Sequence, residues 1–372
     1  MISKKLVVQL VTRSDTIGGV HTHIIDLCLA LISRGDDVIV LAGPSISGVF
    51  FSKLEQLDIR YIVVPHLHAS LNPCYDAKAF IGLIKLFHKL KPTYVCIHSS
   101  KAGILGRLAC FSLKIPCIFT VHGWSFYVKT SLPLRFLYFI LEFFLQFIPH
   151  RIIVVSHSDY SSFAPFLLNK KRVSIIYNSA NLSNPLLSRI SCGLVQLLSV
   201  ARFDRQKDHK TLLAALSLLP PDLDWQISLL GDGPLLPSFI ELTANYSLSH
   251  KVHFIGFSGS PSDFFASSDI FILSSNWEGL PITIIEALSS SLPVIASDVG
   301  GCRELVLNGY NGFLVPPHSP PDLAHSIHLL IREQLLRSRM SSASKKVYDN
   351  IFSFDRFINS TLSVYDSLYR DF

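Results

Sequence analysis

Residues 275–301 read SNWEGLPITIIEALSSSLPVIASDVGG, and this stretch decides the fold. The run DIFIL just before it, 269–273, is short, apolar and of buried-strand type, and PVIA at 293–296 is another. Between them, 280–289 has the apolar density of a packed helix, with Pro281 expected in its first turn, where no backbone N–H is needed. Strand, loop, helix and strand make a βαβ unit whose loop lies at a strand's carboxyl end, the ligand side of a parallel sheet. Glu278 falls on that loop, and Glu286 falls inside the helix just beyond its first turn. The backbone N–H groups of 279–282 have no intrahelical acceptor and suit a diphosphate. Two carboxylates would repel that anion, so they are better matched to sugar hydroxyls, which donate to them. The positive charge must come from elsewhere in the chain. The competing reading is a loop glutamate and a solvated helix face.

One source of charge is ARFDRQK, 201–207, which follows the strand-type run 195–200. Arg202 at the strand end and Lys207 at the approach to a helix at 208–219 offer a fork and a point charge, a way to neutralise a diphosphate without metal. Alternation continues with strands at 225–230 and 252–255 and helices at 234–246 and 261–267. Gly231-Asp232-Gly233-Pro234 joins strand to helix, as a structural turn or a nucleotide contact. Asp222-Leu223-Asp224 has the spacing of a metal-binding pair but precedes a strand at its amino end, so it is read as a turn. Helices are expected at 320–340 and 354–369.

The first half has the same rhythm. Strands are expected at 6–12, 37–42, 59–64, 94–98, 117–121 and 152–155, and helices at 22–33, 77–90 and 102–113. Gly18-Gly19 lies at the first strand-to-helix turn, where glycine permits close approach to a phosphate. Ser99-Ser100-Lys101, His122-Gly123-Trp124-Ser125 and Ser156-His157-Ser158 each follow a strand. His122 would serve there as a donor to a substrate hydroxyl or leaving group, or as a hydrogen-bonded core histidine. The apolar stretch 132–148 is interrupted by Arg135, Glu142 and Gln146 and is too short to span a bilayer. A core helix is expected, with a helix in the membrane interface as the alternative. Residues 174–184 read as the link between halves.

At 372 residues, two domains of ordinary size are expected. Charged residues are 16% and mean hydropathy is +0.39, which excludes a largely disordered chain. Seven cysteines at 28, 74, 96, 110, 117, 192 and 302 form no C-x-x-C pair and read as reduced thiols of a cytosolic protein. No signal-peptide pattern is expected, because the run after Lys4-Lys5 is short and broken by Gln9. Residues 1–190 hold 20 Lys+Arg against 9 Asp+Glu, a net of +11, and the remainder carries −5. The first half therefore suits an anionic partner: nucleic acid, membrane or a phosphorylated substrate.

Together these segments resemble the retaining glycosyltransferases of family 4, which have the GT-B fold. The matching motifs are Gly18-Gly19, HSSKAGILGRLA at 98–109, VHGWSF at 121–126 and VVSHS at 154–158. They continue with SVARFDRQKDHKTLL at 199–213, LLGDGP at 229–234, EGLPITIIEAL at 278–288 and SDVGGCREL at 297–305. The first-half segments look most like bacterial enzymes of O-antigen, capsule or exopolysaccharide synthesis. The resemblance implies an α/β fold of two Rossmann-like domains with parallel sheets facing a crevice. The acceptor domain would be 1–182, with 354–372 crossing back to it, and the nucleotide-sugar donor domain 183–353. Arg202 and Lys207 would hold the donor diphosphate, and Gly18, Gly19, Leu280, Pro281 and Ile282 would line it. Glu286 would hold the ribose and Glu278 the sugar hydroxyls, with His122 near the reacting centre. Ser100 and Lys101 would lie on the acceptor side. Where the family often has E-G-F-G-L-P, this chain has Glu278-Gly279-Leu280-Pro281, which bears on the amides that reach the phosphates.

The implied reaction moves a hexose or N-acetylhexosamine from a UDP-sugar to a polyprenyl-diphosphate-linked saccharide, with no cofactor and no metal. The protein would be cytoplasmic, peripheral on the inner membrane face, with no nucleic-acid partner. A nucleotide-sugar 2-epimerase of the same architecture is the rival, but it would need no basic, aromatic-rich acceptor half. A non-catalytic nucleotide-binding module would leave the glutamate pair unexplained.

Overall fold

The computed structural model describes residues 4–15, 17–124, 126, 132–180, 182, 193–256 and 261–368. Two compact units divide the chain, Met1–Tyr177 with Phe357–Phe372, and Asn178–Arg356.

In the first unit β1 (Leu6–Val11), α1 (Gly19–Ser33), β2 (Asp37–Ala42), α2 (Val49–Gln56), β3 (Tyr61–Val63) and α3 (Pro73–Leu90) come first. Then follow β4 (Tyr94–His98), α4 (Ser100–Leu113), β5 (Cys117–Val121), α5 (Leu132–Leu145), β6 (Arg151–Val154), α6 (His157–Phe163) and β7 (Val173–Ile175). The strands form one sheet in the order β3-β2-β1-β4-β5-β6-β7, each neighbour parallel. Strand order reverses between β1 and β4, so the loops after these two strands diverge and leave a crevice at their carboxyl ends.

In the second unit β8 (Val195–Val200), α7 (His209–Ser217), β9 (Trp225–Leu230), α8 (Leu236–Asn245), β10 (Val252–Gly256) and α9 (Ser262–Ser267) precede β11 (Ile270–Leu273) and α10 (Ile282–Ser289). After them come β12 (Val294–Ser297), α11 (Cys302–Leu305), β13 (Gly312–Val315), α12 (Pro320–Arg332) and α13 (Gln334–Val347). The sheet order is β10-β9-β8-β11-β12-β13, again parallel, with the reversal between β8 and β11. Its inner strand β11 is apolar on both faces, as helices on both sides require; Ile270, Phe271 and Ile272 are fully buried. The final helix, α14 (Phe354–Ser367), packs from Phe357 onward on the first unit. Tyr365 meets Tyr94 at 5.6 Å between rings, and Asp366 pairs with Lys5 and Arg34 at 3.3 and 3.0 Å.

The expected boundaries shift where local chemistry was overlooked. Helix α3 starts at Pro73, ahead of 77, because Asn72 accepts from the N–H groups of Cys74 and Tyr75 at 3.1 Å each. Helix α10 starts at Ile282, and Pro281 is its extended N-cap with ψ 112°, so it stands before the first turn. The single helix expected over 320–340 is broken at Glu333, whose φ and ψ of −94° and 82° leave the helical region. Residues 179 and 180 already belong to the second unit, ahead of the expected 182/183 division. Ser179 donates to the Phe352 carbonyl at 2.6 Å and Tyr348 to that of Ala180 at 2.9 Å. Ser125, residues 183–192 and 369–372, on which parts of the expected motif, link and last helix fall, lie outside the described residues.

Candidate functional site

The topological reversal in the second unit sets the loop after β8 beside the loop after β11. The two are laced together by backbone: Asp208 N–H donates to Ser274 O at 3.1 Å and Asn276 N–H to Gln206 O at 2.8 Å. Asn276 Nδ2 donates to Arg205 O at 2.6 Å, and Ser274 Oγ to Asp208 O at 2.9 Å. Glycines let the loops after β9 and β12 close on these two from either side. A Cβ on Gly231, at φ +141°, would lie 2.1 Å from Ala201 O, and one on Gly233 2.4 Å from Phe203 O. A Cβ on Gly300, at φ +49°, would lie 2.0 Å from Glu278 O, and one on Gly301 2.3 Å from Gly279 O. The Gly-Asp-Gly turn and the Gly-Gly pair thus hold the loops at backbone contact distance.

Inside this frame Glu278 is a buried carboxylate, its side chain only 5% exposed. Its Oε1 accepts from Ser275 Oγ at 2.6 Å and pairs with Lys207 Nζ, while Oε2 accepts from Gln206 Nε2 at 3.3 Å. A carboxylate has about four lone-pair sites, so these bonds leave one acceptor site on Oε2. Glu278 therefore stands on the loop ahead of α10 as a buried, paired carboxylate and not as a solvated one. Asp204 positions the rest of the loop, accepting from the N–H groups of Gln206 at 2.9 Å and Lys207 at 3.3 Å, and it pairs with Arg202. Arg202 is half-exposed. Glu286 is the fifth residue of α10 and half-buried.

The amides ahead of it need correction: Pro281 has no N–H, so the loop offers Leu280 and the first turn offers Ile282 and Thr283. Asp222 pairs with Arg332 at 2.5 Å, consistent with a surface turn.

The crevice of the first unit holds a chain of neutral side chains. His98 ends β4, and His122 follows β5, the adjacent strand. His98 Nε2 lies 2.8 Å from Gln9 Oε1 and its Nδ1 lies 3.0 Å from His122 Nε2. With Gln9 accepting, His98 Nε2 carries a hydrogen and His98 Nδ1 accepts from His122 Nε2–H. Burial, with His23 adding like charge, holds both imidazoles well below their ordinary value, so they are neutral at physiological pH. His23 packs edge-on against His122, 4.7 Å between rings. Among the described residues, His23, His98 and His122 are the only set of three or more His, Cys, Asp or Glu with ligand atoms mutually within 4.8 Å.

Helix α4 is seated by Ser99, whose φ of +67° is uncommon for a residue with a side chain. Thr12 N–H donates to Ser99 Oγ at 3.2 Å, and Ala102 N–H to Thr12 Oγ1 at 2.9 Å. Ser100 opens α4, but Lys101 is committed to Asp76 at 2.6 Å and to the Ser70 carbonyl, only 10% exposed. Gly18 caps α1, and a Cβ there would meet nothing within 4 Å. Gln9, His23, His98, Gln206 and Ser275 escaped the sequence reading. Gln9 had a signal, since a glutamine inside a fully apolar central strand requires a partner.

The chain matches two family descriptions, "Glycosyltransferase Family 4" over residues 17–184 and "Glycosyl transferases group 1" over 192–347. It is 29% identical over 297 residues, 74% of each chain, to UDP-Gal:alpha-D-GlcNAc-diphosphoundecaprenol alpha-1,3-galactosyltransferase of Escherichia coli. It is 30% identical over 281 residues, 73% of this chain and 75% of the other, to an uncharacterized glycosyltransferase of Methanocaldococcus jannaschii. Its fold matches that of Anabaena HepE in complex with UDP-glucose, with TM-score 0.84, 20% identity, and coverage of 98% of this chain and all of that one. Two Rossmann-like units with parallel sheets agree with these matches, and the chain belongs to the GT-B glycosyltransferases of family 4.

Proposed function

We propose that this glycosyltransferase moves one hexose or N-acetylhexosamine from a UDP-sugar to a polyprenyl-diphosphate-linked saccharide in bacterial surface polysaccharide synthesis, with retention of configuration. The observation that carries the reading is the Lys207–Glu278 pair at the strand reversal, beside the amino end of α10. A diphosphate leaving group is stabilised there by Lys207, by Arg202 and by first-turn amides, all fixed before the reaction begins. Donor sugar hydroxyls donate to the remaining site on Glu278, and ribose hydroxyls to Glu286. His122, neutral and with its Nε2–H given to His98, offers a substrate hydroxyl an acceptor at Nδ1 in place of the expected donor. The E. coli relative is named for a diphosphoundecaprenol acceptor, and HepE was crystallised with UDP-glucose, which supports the choice of substrates. The same acceptor supports peripheral residence at the inner membrane face.

UDP release is measured for a panel of UDP-hexoses and UDP-N-acetylhexosamines, with and without a lipid diphosphate saccharide. Acceptor-dependent release, with an α-linked product by NMR, is expected. Conversion of a UDP-sugar to its 2-epimer without acceptor would replace the transferase reading.

A further inference from the structure

Helix α5 is built inside out. Its two charged side chains turn inward: Glu142 is buried against Arg107 at 2.8 Å, and Arg135 donates to the Phe126 carbonyl at 2.8 Å. Its opposite face shows Phe136 and Phe144, two i+4 steps apart on one helical side, at 65% exposure each, with Leu132, Leu137 and the following Phe147 beside them. A helix exposed only to water has the reverse pattern, so the core-helix expectation holds for one face alone. The apolar face does not stop at the helix end. Gln146 binds the backbone of Phe166 at 3.2 Å and Leu168 at 3.0 Å, placing these two exposed residues next to Phe147. Lys170, Lys171 and Arg172, all exposed, follow at once. A cavity of about 170 Å³ under this edge is lined by Phe147, Ile152, Leu167, Leu168 and Arg172 among others.

We infer that this face is a bilayer-docking surface, with α5 lying in the plane of an anionic membrane and Lys170–Arg172 on the lipid phosphates. Fourteen residues are about 21 Å of helix, short of the hydrocarbon core of roughly 30 Å, so the helix rests in the interface and does not cross. An excess of +11 in residues 1–190 matches an anionic surface, which selects lipid over a second copy of this basic unit. The inference deepens the proposed use of a lipid-linked acceptor and stands on separate measurements.

Flotation with phosphatidylglycerol-containing vesicles and with neutral phosphatidylcholine vesicles tests it. Wild-type protein should float with the anionic vesicles and be released by about 0.5 M salt. Combined Phe136→Ser, Phe144→Ser and Phe147→Ser should lower recovery at least about tenfold, and Lys170→Glu with Lys171→Glu should do the same. These side chains are exposed, so both variants should keep wild-type UDP affinity and melting temperature. Flotation equal to wild type in the serine variant, or none by wild type, overturns the proposal. So does a dimer in sedimentation that the serine variant dissociates without any vesicle binding, which assigns the face to a second copy. Turnover on a detergent-dispersed acceptor tests the transferase reading alone, since it needs no bilayer.

Discussion

At the scale of single residues, the buried Lys207–Glu278 pair separates binding from folding. Lys207→Ala strips a phosphate contact and also leaves a buried carboxylate without its cation, which should cost about 3 kcal/mol of stability. Adding Glu278→Gln should restore much of that stability but not UDP affinity. Calorimetry with UDP beside urea unfolding shows both; restored affinity in the double variant would assign Lys207 a structural role only. Arg202→Ala, at a half-exposed residue, should weaken UDP binding by about 1.5–3 kcal/mol while leaving the melting temperature alone. Glu286→Gln should raise KM more than it lowers kcat, because the ribose is remote from the reacting bond, whereas Glu278→Ala should lower kcat as well. Wild-type kinetics in both variants would leave Glu286 a solvated helix face and Glu278 a structural ion pair.

His209 carries a pH signature of the second unit. Burial pulls its imidazole to about 4 from 6.5, while it packs at a tilt on Phe203, 4.3 Å between rings. The unfolded chain takes up that proton below about 6.5 and the folded one does not until about 4. Stability therefore falls as pH drops through this window, by about 3 kcal/mol in all. His209→Asn should flatten that part of the profile in pH-resolved unfolding, and an unchanged slope would place the titration elsewhere.

At the scale of elements, the loops at the β8/β11 reversal depend on absent side chains as much as on those present. Gly300→Ala would set a Cβ 2.0 Å from Glu278 O at φ +49°, so the Glu278 loop must move. The backbone conformation alone costs at least about 1 kcal/mol. A lower melting temperature together with weaker UDP binding is the expected result. Gly18→Ala, with nothing within 4 Å of its Cβ, is the contrast and should leave stability within about 0.5 kcal/mol. Wild-type UDP affinity in Gly300→Ala would show that the loop tolerates displacement without losing the site.

For the whole molecule, turnover should survive EDTA, because the positive charge proposed for the diphosphate comes from Lys207, Arg202 and the α10 amides. If chelation abolishes activity and zinc restores it, the three histidines of the first unit become the place to look, with His23→Ala as the discriminating variant. Sequence alone determined the alternation of strands and helices in both units, because apolar runs bounded by glycine and polar turns have few other folds. It also determined that Glu278 falls on the loop and Glu286 inside α10, since an apolar run bounded by Pro281 marks where the helix begins. Tertiary structure decided the rest. Which cation meets Glu278, the Gln9–His98–His122 chain, and the commitment of Lys101 to Asp76 each join residues 24 or more positions apart, through strand order that no local pattern encodes. The polarity of α5 was decided in the same way: its sequence shows Arg135 and Glu142 among aromatics, but only Arg107 and the Phe126 carbonyl turn those charges inward and leave the aromatic face outside.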